Sequence, residues 1–172
     1  MTELEALKTF YRYNSRVRRN YLKALLALPE AERRKDRGAS HSSLQGIFVH
    51  VLDGLRFWLE YVPGDRVAEA KEYSASEMSP EAIERAVEEV DQMVVRYLDR
   101  LKEADLRTEL VCHFPTEGGT IEQRFPTGDV LWHMVEEELQ HRGELNALLW
   151  QLDVEPPIAQ VEDWVASKAP SD

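Results

Sequence analysis

The chain has 172 residues, 43% of them hydrophobic and 31% charged, which is long enough for one domain with a real core and too apolar for a disordered segment. A formal net charge of −11 argues against general binding to nucleic acid or to anionic membranes, because no phosphate-neutralising patch is evident. The one dense basic run, Arg33, Arg34, Lys35 and Arg37, falls in an expected loop and reads as solvated surface. The single cysteine, Cys112, can form no intramolecular disulfide, which fits a reducing cytoplasm, and beside Val111 it reads as a small buried residue. MTELEALKTF lacks the pattern of a signal peptide, and no apolar run approaches the roughly 20 residues needed to cross a bilayer.

In chain order, the first helix is expected over Glu3 to Leu28. Thr2 and Glu5 have capping-box spacing, and Leu4, Leu7, Tyr11, Asn14, Arg18, Tyr21 and Leu25 recur every three or four residues. Asn14 and Arg18 interrupt that seam. Pro29 ends the helix, and PEAERRKDRGAS reads as a loop. The second helix starts near Ser42, capped with Gln45, and runs along Leu44, Ile47, Phe48, Val51, Leu55 and Leu59 until Pro63-Gly64. Ser79-Pro80-Glu81 opens the third, with Met78 and Ile83 spaced for a hydrophobic staple. TELVCHF and TIEQRF, separated by turn residues, predict a β-hairpin. The fourth helix runs from Thr127, as N-cap, to about Leu152, and the tail holds one short helix that packs Val161, Trp164 and Val165. Four amphipathic helices predict an all-α, four-helix bundle in one domain over residues 1–172, with a small hairpin between helices three and four. The intervening connections are long enough to allow crossovers.

Helix four carries the chemistry, in HMVEEELQHRGEL. At about 100° per residue, Leu131, Val135, Leu145 and Leu149 define its core face, and Glu138 and Arg142 fall within about 20° of the centre. They predict a buried acid–base pair, since each charge there needs a partner. Glu137 and His141 lie on the shoulder of that face, one turn apart, with Cβ atoms about 5–6 Å from each other. That spacing suits two ligands of one metal ion. His133 lies towards solvent, about 12 Å along the axis from His141, and cannot readily grip the same ion. A third ligand must come from elsewhere, and His50 in helix two is the best available, with Gly54 one turn on leaving room for something bound. A set of His50, Glu137 and His141 would suit divalent iron, nickel, zinc or manganese. The bland alternative is that both histidines are hydrogen-bonded structural residues. Other metal and nucleophile patterns fail: only one Glu-x-x-His is present, H-E-x-x-H and G-x-S-x-G are missing, and Ser40-His41 adjacency makes no triad.

SLQGIFVHVLDGLRFWLEYV in helix two and DVLWHMVEEELQHRGELNALLWQLDVEPP in helix four resemble the DinB / YfiT-like family, the HRGE element and the following NALLW most specifically. The resemblance spans most of the chain. It implies a four-helix bundle binding a divalent metal through three histidines, with His50 matching the first ligand and His141 the last. The middle position, four residues before the last, holds Glu137, which keeps a ligand-capable group and changes the charge by one unit. The family includes transferases and isomerases that use low-molecular-weight thiols such as mycothiol or bacillithiol, and homodimers are common in it. The resemblance therefore implies a metal-dependent thiol transferase, or a related hydrolase, acting on a small electrophile. The competing expectation is a non-catalytic bundle serving as a stress-response or interaction module.

Overall fold

The computed structural model describes residues 1–168. Helix α1, Glu3–Ala27, starts on the anticipated box, with Thr2 Oγ1 accepting from the Glu5 amide and Glu5 accepting from the Thr2 amide. A short helix α2, Glu30–Arg34, forms inside the expected loop. Helix α3, Leu44–Arg56, continues through a wider π turn at Phe57–Tyr61. Helix α4, Pro80–Arg100, has Ser79 as its N-cap and proline at the first turn. Strands β1, Glu109–Thr116, and β2, Gly119–Pro126, pair antiparallel with Thr116 opposite Gly119, so Glu117-Gly118 form the tight turn. Gly119 has φ +136°, a conformation that glycine adopts readily. Helix α5, Thr127–Trp150, and the short helix α6, Val161–Ala166, follow. The protein is thus mostly helical with a small hairpin, and no helix among the described residues is long and apolar enough to cross a membrane.

Helices α1 and α3 each lie against both α4 and α5. Their stripes meet in one core that includes Leu7, Leu44, Ile47, Leu55, Ile83 and Leu131, all fully buried. Each such side chain contributes about 1.5–3 kcal/mol relative to exposure. The polar interruptions of the α1 seam are buried too: Arg18 is satisfied across the helices, whereas Asn14 accepts through Oδ1 from Arg142 and its Nδ2 finds no partner among the described residues. Arg18 grips Glu138 of α5 with two bonds of 3.0 Å and reaches Asp91 of α4 at 2.7 Å. Tyr11 donates its hydroxyl to the Leu131 carbonyl at 2.9 Å, and burial pushes its pKa well up.

Several expectations shift. Glu138 pairs with Arg18 and not with Arg142, because α1 presents a guanidinium fork that takes both carboxylate oxygens at once. Arg142 instead donates to Asn14 and lies over the Tyr13 ring. The cap of α3 is Ser43, which accepts from the Gly46 amide, because Ser42 is left-handed at φ +65°. Gln45, freed from capping, bonds Arg33 and the Ala75 and Met78 carbonyls. Thr127 sits inside α5 and donates to the Thr108 carbonyl, with Pro126 in the cap position. The basic run is structural in part: Arg33 is buried, Arg34 reaches the Met78 carbonyl, and Arg37 pairs with Glu32. Trp150, whose helical spacing suggests packing, is half-exposed, and of the three tail residues expected to pack only Trp164 does so, against Phe10 and Tyr13, while Val161 and Val165 face solvent. Cys112 is buried beside Val62 and Val67, as its setting suggested.

Candidate metal centre

Three imidazoles from three segments converge. His50 projects from α3, His141 from α5, and His41 from the loop that leads into α3. The His41 and His50 rings stack with centroids 3.5 Å apart, and His141 stands edge-on to both, at 5.4 and 4.9 Å. One ligand atom from each lies within 4.8 Å of the others. Three nitrogens on one tetrahedral zinc ion at about 2.1 Å lie about 3.4 Å apart, so the rings must close by up to about 1.4 Å to share an ion. His141 is buried, and His41 and His50 are half-buried.

Glu137 lies one turn before His141, with Oε2 3.2 Å from His141 Nε2, and its other oxygen is 3.8 Å from His133 Nε2. The His50 and His141 rings therefore stand together, and Glu137 touches that pair through His141. His133, Glu136 and Glu137 form a second, more exposed group of possible ligands on the same helix. Trp58 meets the His133 ring edge-on at 5.8 Å.

Electrostatics suit a cation. Burial lowers the His41 pKa, and proximity to His141 lowers it further. His50 is lowered by burial and then by His41 and His141. Neutral imidazoles offer free lone pairs to a metal at neutral pH. Glu137 and Glu72 oppose this lowering at both histidines, and Glu144 opposes it at His41, so carboxylates stand close enough to favour a bound cation. A donor set of three imidazoles beside a carboxylate fits a divalent transition ion.

His41 is the residue that sequence reasoning passed over. Its placement depends on backbone geometry. Ala39 and Ser42 form an isolated bridge, Ser42 takes the left-handed conformation, and the Ser43 amide donates to the His41 carbonyl at 2.7 Å. The loop then packs its backbone onto α3 at Gly46, where a Cβ would overlap the His41 carbonyl oxygen. Gly46 was the available signal, since glycine inside a helix commonly marks a close approach. Gly46→Ala is expected to lower stability by about 1–3 kcal/mol in urea unfolding, because the carbonyl must move. An unchanged midpoint would show that the loop is free to yield. At Gly54, by contrast, the space beside the helix is taken up by Met134, whose Cε would lie 3.2 Å from a Cβ there.

One turn beyond His50, Asp53 accepts hydrogen bonds from the Tyr73 amide at 3.0 and 3.1 Å and lies 3.5 Å from Arg56. Burial raises its pKa to about 6, despite the Tyr73 amide and Arg56, which pull it down. A carboxyl with a folded pKa above its unfolded value penalises the folded state when ionised. That penalty is absent below the unfolded pKa of about 3.9, grows between there and about 6, and is complete above. Asp53→Asn keeps an oxygen acceptor for Tyr73. It is expected to be more stable than wild type at pH 7.5, with the gain vanishing near pH 4 in denaturant titrations. A gain of equal size at both pH values contradicts this.

No curated protein shows significant similarity to the chain. A family model described as the DinB family, however, matches residues 1–170, nearly the whole sequence, and the chain belongs to the DinB family.

Proposed function

We propose that the protein is a divalent-metal-binding four-helix bundle whose ion is held by His50, His141 and the loop-borne His41, with Glu137 as a further ligand or partner beside His141. The observation that carries this reading is the convergence of three imidazoles from separate segments to within 4.8 Å. Helical periodicity alone does not assemble a donor set from α3, α5 and a loop. DinB membership supports it.

The activity proposed for this site is that of a thiol-dependent transferase or related hydrolase acting on a small electrophile, in the cytoplasm and as a homodimer. A bound divalent ion would supply Lewis acidity that favours the thiolate or hydroxide form of a nucleophile at neutral pH. The chain's own residues supply the rest. Glu137, partly exposed beside His141, is placed to hold a proton released from the nucleophile. His41 and His50 remain neutral and so keep their lone pairs for coordination.

Elemental analysis of native protein tests the metal reading, with about one divalent ion per chain expected. Metal-free protein whose melting temperature ignores added zinc, nickel or manganese would instead favour a non-catalytic bundle acting as an interaction or stress-response module. The partial exposure of His41 and His50 is the feature that leaves room for that second reading.

A further inference from the structure

We infer that Glu144 is a positioning residue that latches the His41 loop onto α5 and orients His141, so that one carboxylate assembles two of the three imidazoles. This rests on the metal reading above. Glu144 lies one turn after His141, on the same side of α5. Its Oε1 accepts from the Ser40 amide at 2.8 Å. Its Oε2 accepts from the Ser40 hydroxyl at 2.6 Å and lies 3.3 Å from His141 Nδ1.

Three features give the arrangement its force. Ser40 immediately precedes His41, so fixing its amide and hydroxyl fixes the chain direction from which the His41 ring departs. The bonds span 104 residues of sequence and join a loop to a helix, and no local turn could supply them. A carboxylate on Nδ1 also fixes the orientation of the His141 ring, whose Nε2 then faces Glu137 at 3.2 Å. Glu144 contacts no group that reacts. It acts through Ser40 and His141.

The test uses full-length Glu144→Gln and Glu144→Ala with two readouts. The first is amide hydrogen exchange over residues 37–43 in metal-free protein. The second is zinc affinity by competition with a chromophoric chelator, measured also in a His41→Ala background. Exchange in the loop should rise in both variants while the α3 and α5 cores stay protected. Zinc affinity should fall about 10- to 100-fold, the usual effect of removing a carboxylate that orients a metal-binding histidine. The fall should be smaller in the His41→Ala background, because part of the effect runs through that loop. Unchanged loop exchange overturns the latch. Looser exchange with unchanged zinc affinity overturns the positioning role, as does an equal fall in both backgrounds. If wild-type protein binds no zinc, the metal reading fails and the positioning role with it, while the exchange data still decide the latch.

Discussion

Replacing His141 by alanine is expected to reduce divalent-metal binding by several orders of magnitude, leaving the purified protein essentially metal-free. His141 is the buried member of the imidazole cluster, and it contacts both Glu137 and Glu144. Its loss removes one donor and the group that joins both carboxylates to the site. His50→Ala should act similarly, because the His50 ring touches both of the others, stacked on His41 at 3.5 Å and edge-on to His141 at 4.9 Å. The measurement is metal content after purification, followed by zinc titration of the metal-free protein. Melting temperature supplies a second readout: 100-fold excess of free zinc over its dissociation constant should stabilise wild type by about 2.7 kcal/mol and leave the variants unmoved. Normal metal content in His141→Ala contradicts the assignment.

The largest stability effect is expected at Arg18. Its guanidinium is almost fully buried and neutralises Glu138, equally buried, while also bonding Asp91. Asp91 keeps a second partner in Arg19 at 2.8 Å. Glu138 has no other cation among the salt bridges of the described residues, so Arg18→Met strands it in the core. Removing one member of a buried pair costs about 3–5 kcal/mol. Against a total stability of about 5–15 kcal/mol, that is a large fraction. The urea midpoint should fall accordingly at unchanged slope. Replacing Glu138 by leucine in the same protein should recover part of the loss, since most of the cost is an unpaired charge and not missing attraction. A single-variant loss below about 1 kcal/mol would mean that water reaches Glu138 after all.

How far the sequence could be read depended on the range of the forces involved. The helices, the proline stops and the hairpin were legible because they rest on local signals: the Thr2–Glu5 box, Ser79-Pro80, and the turn between TELVCHF and TIEQRF. Helical angles placed Glu138 in the core and set Glu137 beside His141. They could not choose the partner of Glu138, because Arg18 and Arg142 are equally basic and only the packing of α1 on α5 brings the first within reach. Trp150 has helical spacing that suggests packing, yet it lies on the α5 face turned from the core.

The same limit explains His41. It belongs to a loop whose course depends on a left-handed Ser42, a backbone contact at Gly46 and a carboxylate far along the chain. None of these has a periodic signature. Gly46 sits inside an otherwise regular apolar pattern and was the one local hint. His50 and Glu137 were nameable from the shoulders of their helices. The sequence could not show that a third imidazole stacks against His50.

X-ray absorption spectroscopy of the zinc-loaded protein tests the central claim most directly, because imidazole rings leave a distinct outer-shell scattering signature. Three imidazoles per zinc are expected for wild type and two for His41→Ala. A wild-type spectrum with one imidazole or none, or one identical in the two proteins, would contradict the site built from His41, His50 and His141.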